Sequence, residues 1–361
     1  MMEYHSTLPA SADVRLPTGG KVSMSEDRER LLGIVRRFAG HRVAVVGDLV
    51  ADEFVYGDIA RISREAPVPI LQHNRTVVVP GGGGNAVANL RALGAKPLPV
   101  GLVGRDEAGR SMLAEFKRMG IARSGVLLDR DYCTPTKSRI LAGGVHTRRQ
   151  QIVRVDRGGT DGRLPSRVRI ALRRRLGEIL RRADGLLVAD YGYGAATPAL
   201  LAGLASQVSR RSLPVLVDSR ARVGDYRKAT GCTPNQEELE RCLALGPLAD
   251  RSAVESAGRK LLRRTGHKAV LVTRGAQGMC LLQRGRPPTH IAAYGSDEVA
   301  DVTGAGDTVI ATFTLALLAG AKFPDAARLS NYAAGLVVMK AGTATVTVAE
   351  LSDAISEDLG P

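Results

Sequence analysis

Asp301-Val302-Thr303-Gly304-Ala305-Gly306-Asp307, running straight into Thr308-Val309-Ile310-Ala311-Thr312-Phe313, is the stretch on which the reading of this chain turns. A glycine-lined turn meets an apolar run that starts as a helix. The glycines let the backbone bend tightly and direct its N–H groups outward, and the helix dipole adds partial positive charge where those groups converge. Such a corner holds an anion. Asp307, in the first helical turn, stands ionised beside it, where a base belongs if a hydroxyl is to attack phosphorus. A plainer reading stays open: a first-turn acid contributes about 0.3–1 kcal/mol to a helix by itself, and Gly-Ala-Gly also serves as a tight connection.

Outward from this stretch, short apolar runs recur: Val43-Ala44-Val45-Val46, Pro99-Val100-Gly101-Leu102-Val103, Leu186-Leu187-Val188-Ala189, Val215-Leu216-Val217 and Ala269-Val270-Leu271-Val272. Strands buried on both faces of a mainly parallel sheet read this way. Helical periodicity falls between them, at about 85–94, 106–119, 166–183, 197–210, 236–245, 252–265, 305–319 and 324–341. The alternation predicts a layered α/β/α domain. Two places break it. Val68-Pro69-Ile70-Leu71 with Thr76-Val77-Val78-Val79, and Thr136–Leu141 with Gln151–Val155, read as hairpin-like strands with no helix between, which predicts a small separate sheet.

With 361 residues, 44% of them hydrophobic, the chain can bury one large α/β core or two small ones. Its longer apolar runs, such as Leu315–Ala319, fall far short of the roughly 20 residues of a membrane-spanning helix. The four cysteines lie far apart without a C-x-x-C pair, which points away from zinc and disulfides and toward a reducing cytoplasm. The formal charge of +15 comes mainly from arginine. In Arg167–Leu176 the arginines form a solvated face around a Val168, Leu172, Leu176 stripe, and aromatic residues for base stacking are few, so nucleic acid is not the expected partner. A basic surface still favours the approach of small phosphate-bearing anions. Residues 1–27 lack a signal-peptide pattern and are expected to form a disordered extension, with Met24 a second candidate start; a helix capped by Ser25 is expected through about Phe38.

Several motifs carry chemistry. Asp48 and Asp52, in Gly47-Asp48-Leu49-Val50-Ala51-Asp52, follow the first strand, where ligands bind in open α/β sheets; Asp48 also suits a turn cap. Pro80-Gly81-Gly82-Gly83-Gly84-Asn85 leads into a helix and reads either as a connector or as a site of close ligand approach. Thr233-Pro234-Asn235-Gln236-Glu237-Glu238 is at once a capping box and a source of hard oxygen ligands. Thr273-Arg274-Gly275-Ala276-Gln277-Gly278 reads locally as a hairpin turn.

The D-x-T-G-A-G-D run near the end of an alternating α/β chain resembles the catalytic signature of the ribokinase-like (PfkB-type) carbohydrate kinases, and the resemblance extends over about residues 30–350. It implies a three-layer α/β/α domain over 28–361 with a mainly parallel central sheet and a small β lid inserted at about 52–80 and 133–156. It further implies ATP and Mg²⁺ as cofactors, with dependence on a monovalent cation, known in the family, left open; separately, the lid sheet has edges that a second subunit could cover, as in a homodimer. Asp307 would be the base and the Gly304, Ala305 and Gly306 amides the anion hole; Asp48, Asp52, Gly82, Gly83 and Asn85 would hold the sugar. Asn235 and Glu238 would organise Mg²⁺ through water; Thr273, Gly275, Gly278, Gly304 and Gly306 would border the ATP phosphates and ribose, and Asn331, Ala334 and Gly335 its adenine.

The string Ser63-Arg64-Glu65-Ala66-Pro67-Val68-Pro69-Ile70, with Gly57 and the later Gln150–Asp156, is similar to the kinase part of bacterial D-glycero-β-D-manno-heptose 7-phosphate 1-kinases, which act in ADP-heptose biosynthesis. Arg61, Arg64, Lys137 and Arg139 are then candidates for the sugar's phosphate, with Lys137 and Arg139 alternating onto one strand face. Two departures stand out. Tyr193 replaces the lysine of D-Y-x-K-G in Asp190-Tyr191-Gly192-Tyr193-Gly194, and Asp218-Ser219-Arg220 stands where the relatives carry D-P-K. The H-x-G-H motif of the nucleotidyltransferase domain in bifunctional relatives is not found in these 361 residues. Fructose 6-phosphate, ribose or a nucleoside remains the alternative substrate, and a non-catalytic sugar-phosphate-binding protein the alternative class.

Overall fold

In β8 (Gly185–Asp190) every residue is buried, and its side chains alternate between two cores: Leu187 and Ala189 enter one, Leu186 and Val188 the other. This is how a strand covered by helices on both faces must behave, because successive side chains point to opposite sides. The computed structural model describes residues 24–143, 149–159, 162–295 and 300–360. The remaining strands are β1 (Arg42–Gly47), β2 (Leu49–Ile62), β3 (Pro69–Gly82), β4 (Lys96–Gly104), β5 (Val126–Asp129), β6 (Thr136–Gly143), β7 (Gln150–Arg157), β9 (Val215–Ser219), β10 (Gly231–Cys232), β11 (Ala269–Thr273), β12 (Met279–Gln283) and β13 (Thr289–Ile291).

Among the described residues, nine strands form the main sheet in the order β13-β12-β11-β10-β9-β8-β1-β4-β5, parallel from β11 to β5, with β12 and β13 added antiparallel. Helices Gly83–Ala92, Ala305–Leu318 and Phe323–Val338 contribute to the core on one face. Helices Ser166–Leu180 and Arg251–Thr265 contribute to the other. No helix among the described residues is long and apolar enough to cross a membrane.

The second sheet, β3-β2-β6-β7, grows out of the first. Only Asp48 separates β1 from β2. Its pairing corrects one expectation: residues 68–71 and 76–79 do not form a hairpin with each other; 69–71 and 76–79 lie in the single strand β3, whose antiparallel partner β2 pairs from Leu49↔Gly82 to Ile62↔Pro69. Acidic residues in β2 mask its strand pattern. The other expected pair does form, with Thr136 opposite Arg157 and Ala142 opposite Gln150.

Helix boundaries shift in three places. The first helix spans Met24–Arg36, so Ser25 lies inside it rather than capping it, and residues 24–27, expected in the extension, are helical. Asp27 ties this helix to Arg328, 2.9 Å away; residues 1–23 lie outside the described residues. The stretch 197–210 is two short helices, Pro198–Ala202 and Ala205–Arg210, and a helix not anticipated, Val348–Leu359, closes the chain behind a Thr347/Glu350 capping box.

Candidate active site

Gly304 adopts φ 83° at the N-cap of the Ala305–Leu318 helix. A side chain there would be strained, and its Cβ would lie 2.4 Å from Asn85 Nδ2. The bare backbone thus lets Asn85 reach the buried Asp307: its Nδ2 donates to Asp307 Oδ2 at 3.0 Å and to the Gly304 carbonyl at 3.3 Å. Asn89 Nδ2 in turn donates to Asn85 Oδ1, and Thr308 Oγ1 donates to Asn89 Oδ1, each at 3.1 Å. Two helix starts are stitched together around one carboxylate. Asn85, expected to contact sugar, has both amide hydrogens taken within the protein and instead orients Asp307.

The other oxygen of Asp307, Oδ1, accepts from the Tyr191 hydroxyl at 2.6 Å. Burial chiefly pushes the Asp307 pKa up to about 6, against the pull of these two donors. It is poised to take a proton near neutral pH. Above it, Ala305 N–H already reaches the Val302 carbonyl at 3.3 Å, whereas the Gly306 amide has no acceptor among the described residues and its Cα faces open space. Of the three amides expected to form an anion hole, Gly306 is free to do so and Ala305 is partly engaged.

Asp48 turns out to be a pin. Its carboxylate accepts from the backbone N–H groups of Tyr191 (2.8 Å), Tyr193 (3.0 Å) and Ala195 (2.8 Å), and it is 1% exposed. Expected as a sugar ligand or a turn cap, it fixes the loop after β8. Asp190 fixes the same loop from behind, accepting from Ser219 Oγ (2.9 Å), Tyr226 OH (3.0 Å) and Arg222 Nε (3.0 Å). The buried Gly82 and Gly83 pass under Asp48, and Gly83 N–H donates to its carbonyl at 3.0 Å, so this amide too serves the fold rather than a ligand.

On the side of the small sheet, Asp52 packs onto Gly81, where a Cβ would stand 2.2 Å from Oδ2. Asp52 Oδ1 accepts from Arg139 Nη1 at 2.7 Å and Oδ2 from Thr343 Oγ1 at 3.1 Å. Arg139, expected to hold phosphate, is therefore neutralised inside the protein. Lys137, two residues away, is 6% exposed yet makes no ion pair among the described residues; its Nζ lies 5.5 Å from the Tyr191 ring centre. Burial, with Arg220 next, lowers its pKa. Arg220 Cζ sits 4.7 Å over the same ring. Arg64 is not brought to this place: it lies exposed in the turn joining β2 to β3, as does Arg61 near the end of β2.

Asn235 and Glu238 do form the capping box, with Glu238 N–H donating to Asn235 Oδ1 at 2.8 Å and Asn235 N–H to Glu238 Oε2 at 2.9 Å. That leaves Glu238 Oε1 without a hydrogen bond among the described residues. Burial raises the Glu238 pKa, and burial with the charges of Glu238 and Asp307 holds Asp218, to which sequence reading gave no site role, well above the usual carboxylate range. Crowded, desolvated carboxylates of this kind gain from a divalent cation, and one or two carboxylates with waters are the donor set Mg²⁺ takes. No cluster of three His, Cys, Asp or Glu among the described residues forms a complete protein cage.

Asn235 also pairs with Thr273, setting the capping-box helix beside the Thr273–Gly278 loop. Arg274 Nε donates to Gln236 Oε1 at 3.3 Å across the gap. Next to them opens a cavity of about 470 Å³ lined by Arg251, Arg274, Ala276, Gln277, Ala292 and Ala293 among others. Asn331 Nδ2 donates to the Ala292 carbonyl at 2.8 Å, so it shapes the cavity wall. Gly275 opens the loop with nothing near its Cα, as a ligand approach requires. Gly278 and Gly335 are packing positions instead: a Cβ would fall 2.0 Å from the Ile291 carbonyl at the first and 2.1 Å from the Tyr294 carbonyl at the second.

A buried carboxylate beside a free helix-start amide, at the carboxyl ends of parallel strands, is the arrangement of a phosphotransferase that acts on a hydroxyl. The chain belongs to the pfkB family of carbohydrate kinases, which it matches over residues 41–349. It is 39% identical over 326 residues to the bifunctional protein HldE of Caulobacter sp. (strain K31), covering 90% of this chain and 64% of that protein. It is 40% identical over 312 residues to the bifunctional protein HldE of Geobacter sulfurreducens, covering 85% and 61%. This chain thus spans only part of the length of these relatives. Escherichia coli phosphofructokinase-2 in complex with fructose-6-phosphate superposes with a TM-score of 0.68 at 16% identity, over 88% of this chain and 99% of that one. Arabidopsis thaliana ribokinase complexed with ribose and ATP does so with a TM-score of 0.65 at 20% identity, over 89% and 99%. The fold is the ribokinase-like three-layer α/β/α arrangement.

Proposed function

We propose that this carbohydrate kinase transfers the terminal phosphoryl group of ATP to the anomeric 1-hydroxyl of D-glycero-β-D-manno-heptose 7-phosphate, giving the 1,7-bisphosphate. The observation that carries the reading is Lys137, a buried ammonium that makes no direct ion pair among the described residues, beside the Tyr191–Asp307 pair, with only the more distant charges of Asp52 and Asp307 to offset it. A desolvated charge with no direct ion-pair partner is costly unless a ligand supplies the counter-charge, and a sugar that already carries a phosphate does so. The Ser63–Ile70 string and the identity to HldE proteins support the same substrate.

In the reaction the sugar oxygen attacks the terminal phosphorus as its proton passes to Asp307, and the bond from that phosphorus to the bridging oxygen breaks, leaving ADP with the electron pair. The Gly306 amide, with those of Gly304 and Ala305, stabilises charge on the transferring group; one such donor contributes about 2.7–4 kcal/mol. ATP would lie in the cavity beside Gly275 and Arg274. Asn235 and Glu238 would hold Mg²⁺ through water, and the ion would supply charge neutralisation for the phosphates. A cytoplasmic setting belongs to this reading, as does a homodimer through the small sheet, whose β7 leaves Ile152, Val153 and Val155 exposed.

Tyr193, standing where the relatives carry lysine, favours a second reading in which the sugar is another phosphate ester such as fructose 6-phosphate. The test is turnover with ATP and Mg²⁺ on heptose 7-phosphate, fructose 6-phosphate, ribose and nucleosides, with the modified carbon identified by NMR. Preference for heptose 7-phosphate and a new phosphate on C1 is expected. Preference for another acceptor, or another carbon, overturns the proposal.

A further inference from the structure

We infer that Tyr191 is a positioning residue of this kinase, one side chain that fixes the base through its hydroxyl and two substrate-facing cations through its ring. The inference rests on Asp307 being the base. Asp307 has two carboxylate oxygens, and each takes one neutral donor: Asn85 Nδ2 at 3.0 Å and Tyr191 OH at 2.6 Å. Both favour the ionised form. The remaining charged groups facing Asp307 come from three strands: Asp52 of β2 and Asp218 of β9 oppose its ionisation, and Lys137 of β6 favours it. Tyr191 cannot lend its proton away, because burial and the charge of Asp307 hold its phenol well above the ordinary range.

The ring does separate work. Lys137 Nζ stands 5.5 Å and Arg220 Cζ 4.7 Å from its centroid, both within the roughly 6 Å over which an aromatic face attracts a cation. Neither cation makes an ion pair among the described residues. The ring therefore holds in place charges that a phosphorylated substrate would neutralise. Tyr191 is itself held, its N–H donating to Asp48 at 2.8 Å, in a loop anchored through Asp190 to Arg222, Ser219 and Tyr226. Base and cations thus share one frame, which bears on the geometry reacting groups need.

The test separates hydroxyl from ring. Tyr191→Phe keeps the ring and removes the donor, so the acid limb of the kcat/KM profile is expected to move up by about one pH unit, with kcat at high pH and the sugar KM little changed. The substrate's own phosphate titrates at about pH 6 in both enzymes, so only the difference between the profiles reports on Asp307. Tyr191→Leu removes the ring as well and is expected to raise the sugar KM about tenfold beyond the Phe variant. Superimposed profiles for wild type and Tyr191→Phe, or a uniform loss of kcat with an unmoved limb, overturn the inference. Asp307→Asn measured alongside distinguishes the two failures: an inactive Asp307→Asn with an unmoved limb in Tyr191→Phe sinks only the role of Tyr191, whereas an active Asp307→Asn sinks the base itself.

Discussion

The two ends of the small sheet use the same residue types for opposite purposes. At the end next to the main sheet, Asp52, Lys137 and Arg139 are 4%, 6% and 7% exposed, and every charge there either has a partner or lacks one at a cost. At the far end, where the last four residues of β2 and the middle of β3 are open to water, Arg61 and Arg64 are solvated. A guanidinium in water loses hydration when it binds phosphate, while a buried unpaired ammonium gains a partner. Burial, not residue type, selects which cation of the sheet is set up to read an anion.

The comparison breaks first at Asp52. Asp52→Ala leaves Arg139 buried and uncompensated, and a loss of about 3–5 kcal/mol in unfolding free energy by denaturant titration is expected. A loss under about 1 kcal/mol would mean water reaches this end as freely as the other. Lys137→Met keeps the stem and removes the charge; the KM for a phosphorylated sugar is expected to rise about 10- to 100-fold, near 1.4 kcal/mol per tenfold, with stability held or improved. Arg64→Met should change neither KM nor stability beyond about 0.5 kcal/mol. A large KM effect there would bring the far end of the sheet to the substrate and erase the contrast.

The same contrast decides what could be read from sequence. Strands such as β1 and β8 announce themselves because burial on both faces leaves nearly unbroken apolar runs. Strand β2 does not, since Asp52, Glu53, Asp58 and Arg61 interrupt it, and a small sheet half in water carries no periodicity strong enough to override them. At the site, Asp307 and its turn were legible as a local motif. Its partners were not: Asn85 lies 222 residues away and Tyr191 lies 116 away, and no spacing rule links them. Asn85 looked like a ligand because its motif did, and Asp48 because carboxylates at strand ends often are; partners that converge only in the folded chain gave both another task, the Asp307 carboxylate and Gly304 carbonyl for Asn85 and three backbone N–H groups for Asp48. Tyr191 stood two residues from the substitution at Tyr193 that drew notice, and nothing in its own letter marked it.

The account stands most directly on Asp307 as the base. Asp307→Asn keeps the size of the side chain, and its turnover should be measured under saturating ATP, Mg²⁺ and sugar phosphate, with nucleotide binding and thermal stability followed in parallel. The expected result is a folded protein that binds ATP and turns over about 10²–10⁴-fold more slowly. A folded variant with near-normal turnover would contradict it.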